Sequence, residues 1–264
     1  MKVICLGTGV MAPSDAIGQT ACYLLPEEGI LLDAGTGLYR LEQHMRSDCL
    51  DIYISHAHGD HTFGLFWLTT AILRNQMSKS NARLDLAFEA AGKYAKDLVS
   101  DRLRILGDPP TLTAMRENPY LSALIEDRNL RLVDLGPEEE VAGGGTVKHF
   151  PLEHTVTCSG FRFDWPGHSL AYVTDTTAGP GAPYIDQIRG VDLLLHERTL
   201  PDEAAEGARK HGHSWTTAVA RLAAAAGVGR LVCIHNRPSD SAIDTARAIF
   251  SQTEEAFDGM EIEF

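Results

Sequence analysis

The chain has 264 residues, 44% of them apolar, and a formal charge of −13 at pH 7. That supports a sizeable core and excludes a protein whose whole surface grips nucleic-acid phosphates. No run nears the roughly 18 apolar residues of a membrane span, the opening Met1 to Gly7 lacks a signal peptide's apolar region, and the cysteines (Cys5, Cys22, Cys49, Cys158, Cys233) never fall as C-x-x-C, so a cytoplasmic protein without disulfides or thiolate metal sites is expected.

In chain order, Val3 to Leu6 reads as a strand, and Ala21 to Leu25 pairs with Ile30 to Asp33 as a hairpin across Pro26-Glu27-Glu28-Gly29. Asp51 to Ile54 is a further strand, followed by a buried helix over Phe63 to Leu73. Residues 86 to 106 place Phe88, Ala91, Ala95, Leu98, Arg102 and Leu106 on one face at helical spacing. From 107 to 140 the pattern loosens, with a helix near Leu121 to Glu126, and the stretch 74 to 140 reads as an elaboration within one domain spanning 1 to 264. The second half alternates more regularly: strands at Val147 to Leu152, Ser169 to Thr174, Asp192 to His196, Arg230 to His235 and Met260 to Phe264, with helices at Thr216 to Ala226, stopped by Gly227, and Ala242 to Gln252.

Two glycine motifs are decoys. Gly143-Gly144-Gly145 lacks the Gly-Lys-Ser/Thr of a phosphate loop and reads as a tight turn. Gly7-Thr8-Gly9-Val10-Met11-Ala12 satisfies the relaxed dinucleotide fingerprint, but Pro13 and Gly18 leave no room for the helix that fingerprint requires.

The chemistry concentrates in His56, His58, Asp60 and His61, within Ile54-Ser55-His56-Ala57-His58-Gly59-Asp60-His61. Four ligand-type groups in six positions just beyond a strand would be costly to desolvate together without a cation. Imidazole and carboxylate without thiolate suit zinc best, with iron or manganese as alternatives.

H-x-H-x-D-H resembles the signature of the metallo-β-lactamase superfamily, and His154, Asp175 and His235 follow in order, each ending an expected strand. The resemblance implies an α/β fold of four layers, an αββα sandwich. It also implies two divalent metal ions, one held by His56, His58 and His154, the other by Asp60, His61 and His235, with Asp175 bridging. Asp33, in Asp33-Ala34-Gly35, would brace the histidine loop.

Within the superfamily the chain looks most like the ribonuclease Z branch. Leu195-His196-Glu197-Arg198-Thr199 resembles its H-E-A-T segment and Gly212-His213-Ser214-Trp215 its G-H-S-T, while Phe257-Asp258-Gly259 resembles the ending of phosphodiesterases of this group. The resemblance implies catalysis by Asp60, His213 and Glu197, with a metal-bridging hydroxide attacking, His213 protonating the leaving oxygen and Glu197 orienting it. On the bland reading His196 packs at a strand end and His213 merely begins a helix. His44, His149, His168 and His211 have no such context and read as surface or supporting groups.

Three departures bear on substrate. Pro13-Ser14-Asp15-Ala16-Ile17-Gly18-Gln19 stands where transfer-RNA-maturing relatives have a basic loop, His154 and Asp175 are only 21 apart and leave no room for an RNA-binding arm, and Trp215 replaces threonine. The expectation is a phosphodiesterase for a small or cyclic phosphodiester, with transfer RNA disfavoured as a partner, no membrane association, and a homodimer left open. Residues 74 to 140 could form the pocket wall. The competing readings are a lactone, thioester or amide hydrolase of the same fold, a ribonuclease Z-type RNA endonuclease, and a metal-bound carrier or sensor without catalysis.

Overall fold

The computed structural model describes residues 1–15, 18–80, 103–128, 130–236 and 240–264. Its first half begins with β1 (Lys2–Gly7), β2 (Cys22–Leu25) and β3 (Ile30–Leu32), then a short helix α1 (Leu41–His44) and β4 (Leu50–Tyr53). α2 (Gly59–Thr62) and α3 (Leu65–Ser80) follow, then β5 (Leu103–Gly107), α4 (Pro109–Glu117), α5 (Pro119–Arg128) and β6 (Arg131–Asp134). The second half carries β7 (Glu139–Val141), β8 (Gly145–Leu152), β9 (Cys158–Trp165), β10 (His168–Val173), β11 (Leu193–Glu197), α6 (Ala205–Lys210), α7 (Thr216–Ala226), β12 (Arg230–Ile234), α8 (Asp240–Ile249), β13 (Thr253–Glu255) and β14 (Glu261–Glu263).

The strands form two seven-stranded sheets, ordered β14-β1-β2-β3-β4-β5-β6 and β13-β12-β11-β10-β9-β8-β7. Both are mixed: β3 through β6 run parallel, as do β10 through β13, while the remaining neighbours are antiparallel. One core lies between the sheets, where the Tyr53 ring meets Phe161 and Phe163 edge-on at 5.6 and 5.2 Å and Tyr23 leans on Tyr172. A second packs Leu38, Leu41, Leu65, Leu68, Leu112 and Met115 under the outer face of the first sheet, and a third packs Val219, Leu222 and Ala223 of α7 with Tyr184 and Ile188 on the second. Strands covered on both faces explain why β1, β2, β3 and β11 read as continuous apolar runs instead of alternating ones. The layers are therefore helix, sheet, sheet, helix.

α7 ends as expected at Gly227, whose φ of +65° is the left-handed conformation in which its N–H caps the helix carbonyls. The Gly143-Gly144 turn likewise joins β7 to β8 at positive φ.

Three expectations need correction. The helix over 86 to 106 fails at its end, because Leu103–Gly107 is β5, paired on both sides with β4 and β6; Phe88, Ala91, Ala95, Leu98 and Arg102 lie outside the described residues. The spacing of Leu98, Arg102 and Leu106 mimics a helix, yet burial of Leu103, Ile105 and Leu106 across a strand wins. The helix over Phe63 to Leu73 exists as α3 but is not buried throughout, since Phe63, Phe66 and Trp67 are about half exposed. The stretch 74 to 140 is also no mere elaboration: β5 and β6 complete the first sheet and β7 begins the second.

Candidate metal centre and cleft

Every candidate ligand stands just beyond a strand end, at one rim of the sandwich. His56, His58, Asp60 and His61 follow β4 of the first sheet; His154, Asp175 and His235 follow β8, β10 and β12 of the second. The turn after β4 is tight because Gly35 and Gly64 let backbones touch: a Cβ on Gly35 would lie 2.3 Å from the Asp60 carbonyl oxygen, and one on Gly64 2.0 Å from that of Gly35.

The donors form two groups. His56 Nε2 lies 3.0 Å from His58 Nδ1 and 3.4 Å from Asp175 Oδ2, and His154 Nε2 lies 3.4 and 3.5 Å from the same two atoms. In the other group His235 Nε2 is 3.2 Å from His61 Nε2 and 3.3 Å from Asp60 Oδ2, and His61 Nε2 is 3.6 Å from Asp175 Oδ1. A tetrahedron with metal–ligand bonds of about 2.0–2.1 Å has edges of about 3.4 Å, so the donor spacings suit a small divalent cation. Asp175 directs one oxygen to each group.

Outer contacts turn the rings the same way. His61 Nδ1–H donates to Asp33 Oδ2 at 2.6 Å, His56 Nδ1–H to Ser55 Oγ at 3.0 Å, His154 Nδ1–H to the Gly212 carbonyl at 3.1 Å and His235 Nδ1–H to Thr199 Oγ1 at 3.2 Å. Each leaves the Nε2 lone pair facing the cluster, the arrangement a metal requires. Asp33 also accepts from Ser55 N, Ser55 Oγ and Tyr172 Oη, so it holds the histidine loop directly.

The electrostatics leave neutral imidazoles beside ionised carboxylates. Burial, with the charge of His61, pushes His56 down to about 4 against the pull of Asp175, and burial likewise lowers His58 and His154, leaving neutral donors. His61 goes the other way: burial opposes its charge, but Asp33, Asp175 and Asp60 outweigh it and raise its pKa to about 10. Asp60 and Asp175 are held well below the carboxylate range by neighbouring imidazoles despite their burial. Buried imidazoles beside ionised carboxylates form a donor set that suits a divalent cation.

Among the described residues, the non-glycine positions in the left-handed region are Met11, Asp33, Asp175 and His235. All four touch this centre, the distribution expected where strain is held at a functional site.

Beside the metal groups sits a second constellation. Buried Glu197 accepts from Thr176 N, Ser214 N and His213 Nδ1 on one oxygen, and from Thr199 N and Thr199 Oγ1 on the other. Burial disfavours its charge, yet the His213 hydrogen bond keeps its pKa below the usual value. For His213 burial is again opposed, here by Glu197 and then by Asp175 and Asp60, and its pKa is raised. His213 also falls in a grouping with Asp175 and His235 whose donor atoms lie within 4.8 Å of one another. His196 points elsewhere, its ring between Tyr184 Oη and the Glu197 carbonyl in the core.

These groups line a cleft of about 460 Å³. Its wall includes Val10, Met11, Thr155, Thr199, Leu200 and His211 as well, none of which sequence reasoning had assigned to the site. Only Thr199 had a signal, through its place in the Leu195-to-Thr199 segment. None of the lining residues comes from 74 to 140, so among the described residues that stretch does not form the pocket wall.

The family described as "Beta-lactamase superfamily domain" matches residues 29–236. The chain belongs to this superfamily. Superfamily members similar along the whole chain include a ribonuclease Z of Synechococcus sp. (strain CC9605), 28% identical over 317 residues covering 100% of this chain and 98% of the relative, and a ribonuclease BN of Escherichia coli (strain K12), 28% identical over 324 residues covering 98% of each. Among solved structures, the metallo-β-lactamase fold protein YhfI from Bacillus subtilis matches with a TM-score of 0.74 at 21% identity, covering 99% of both chains. The short form of human tRNase Z matches at 0.69 with 23% identity over 100% and 99%, and a diphosphatase of the PhnP family at 0.68 with 16% identity over 100% and 96%. The fold is thus the metallo-β-lactamase fold.

Proposed function

We propose that this superfamily member is a dinuclear metal-dependent hydrolase acting on a small or cyclic phosphodiester, a single-domain enzyme of the cytoplasm with zinc as its metal. His56, His58, His154 and Asp175 would hold one ion, and Asp60, His61, His235 and Asp175 the other. Bound there, the two ions would supply Lewis acidity and a nucleophilic water at neutral pH. The observation that carries the reading is the Glu197–His213 pair set against this cluster, with Glu197 fixing the His213 proton on Nδ1 at 3.2 Å. His213 thereby keeps its other nitrogen for the cleft, where its raised pKa suits it to hold a proton and release it to a leaving oxygen. A hydrolase that expels a good leaving group has less need of such a donor.

The relatives named ribonuclease Z and ribonuclease BN keep RNA in play, and the expectation that transfer RNA is a poor substrate finds no support in their names. Two features of this chain favour the smaller substrate. His154 and Asp175 are joined only by the β9–β10 hairpin, turning at Gly167, so no arm leaves the sandwich there. The Synechococcus alignment spans 317 positions, 53 more than the 264 residues here, so that relative carries segments this chain lacks.

The test is turnover by zinc-loaded protein of bis(p-nitrophenyl) phosphate, a cyclic nucleotide, a lactone, a thioester and a transfer-RNA precursor. Phosphodiester turnover exceeding the lactone and thioester rates supports the reading. Efficient 3′ cleavage of the precursor, with affinity falling steeply as salt rises, would replace it with the RNA endonuclease.

A further inference from the structure

The Phe257-Asp258-Gly259 segment follows His235 in the chain and has no part in the chemistry above. Its aspartate nevertheless gathers the segment that carries Met11. Asp258 Oδ1 accepts from Thr8 N at 3.0 Å and Thr8 Oγ1 at 3.2 Å; Oδ2 accepts from Gln19 N at 2.8 Å and from Arg40 at 2.7 Å. One carboxylate therefore ties the outgoing and returning ends of the same segment, which are further joined by Gly9 N to the Gln19 carbonyl at 2.7 Å. Gly18 leaves the space this requires, because a Cβ there would fall 2.8 Å from the carboxylate. Arg40 also donates to the Leu6 carbonyl, fixing the carboxylate's partner to β1.

From this tie the contacts lead to the cleft. The Thr8 carbonyl accepts from Asn236 N at 3.0 Å, beside His235, and Met11 N–H donates to Asp60 Oδ2 at 2.9 Å. Met11 holds this pose at a φ of 60°, with its side chain 73% exposed at the cleft wall. A non-glycine residue stays in that conformation only where its surroundings impose it.

We propose that Asp258 is a positioning residue that sets the mouth of the cleft: by holding Thr8 and Gln19 together it fixes where Met11 meets Asp60 and where its side chain meets substrate. This rests on the cleft being the substrate site. It acts through Met11 and not on the reacting atoms, so its removal shows in substrate binding ahead of turnover.

The test compares full-length, zinc-loaded wild type with Asp258→Ala and Asp258→Asn, using bis(p-nitrophenyl) phosphate. An asparagine oxygen still accepts from Thr8 but turns amide N–H donors toward the Gln19 N–H and Arg40, so the hold on Gln19 is lost in both variants. KM should rise roughly tenfold in the alanine variant, with kcat changed less than threefold and two metal ions retained. Amide hydrogen exchange of the peptide containing Met11 should quicken in both variants while that of the α7 peptide stays as in wild type. Exchange needs no turnover: if wild type leaves the probe intact, the phosphodiesterase reading fails while the Met11 peptide still decides the positioning. Unchanged exchange at Met11, unchanged KM in an active enzyme, or loss of a metal ion with KM unmoved each overturns the proposal. Should the alanine variant not fold, the asparagine variant carries the same measurements.

Discussion

His213→Ala separates acid catalysis from every other role this histidine could have. Glu197 accepts five hydrogen bonds, and the substitution removes one; Thr176 N, Ser214 N, Thr199 N and Thr199 Oγ1 remain, so the buried carboxylate stays satisfied and the fold should tolerate the change. The cost falls on the barrier. Loss of a general acid slows turnover roughly 10²- to 10⁴-fold, about 3 to 5 kcal/mol of barrier. That applies to an alkyl diester, whose alkoxide needs a proton; a p-nitrophenyl diester should lose far less. A general acid works protonated and the pKa of His213 is raised, so under the proposed role kcat of wild type on the alkyl substrate should hold below that pKa and fall as pH rises through it. Glu197→Gln removes the charge that raises it and should move this limb to lower pH. The assay is kcat against pH on both substrates, with metal content determined for each variant. Equal losses on the two substrates would refute acid catalysis. Loss of a metal ion would instead make His213 a ligand, as its grouping with Asp175 and His235 allows.

Two further perturbations address the metal groups. Asp175→Ala should lower occupancy at both positions, because its Oδ2 lies 3.4 Å from His56 Nε2 and its Oδ1 3.6 Å from His61 Nε2; elemental analysis showing one ion retained in full would refute the bridge. Gly212→Ala places a Cβ 3.0 Å from His154 Nδ1 in a backbone with φ of +68°. It should cost roughly 1–2 kcal/mol of stability and weaken zinc at the His154 position; an unchanged denaturation midpoint and zinc titration would show that this approach does not matter.

What could be read from the chain alone depended on how local the signal was. His56 to His61 announce themselves because four donors share six positions, and His154, Asp175 and His235 could be found because each follows an expected strand in the order of the superfamily signature. β5 was lost to a helix because Leu98, Arg102 and Leu106 keep helical spacing, while its pairing partners β4 and β6 lie well away in sequence. Met11 had no signal whatever: its place at the cleft comes from a left-handed backbone and a hydrogen bond to Asp60, and neither leaves a mark on residue type. The same holds for the Glu197 donors, three of which are backbone N–H groups at Thr176, Thr199 and Ser214 that only the fold brings together.

Neither metal position draws its donors from one sheet. His56, His58, Asp60 and His61 come from the first, and His154, Asp175 and His235 from the second, so each ion would sit astride the seam of the sandwich. Any change that lets the halves drift apart, even at Tyr53 or Phe163 deep in the shared core, would stretch both donor sets at once. Metal affinity would then be a gauge of how tightly the two halves close, sensitive to damage far from the rim that carries the donors.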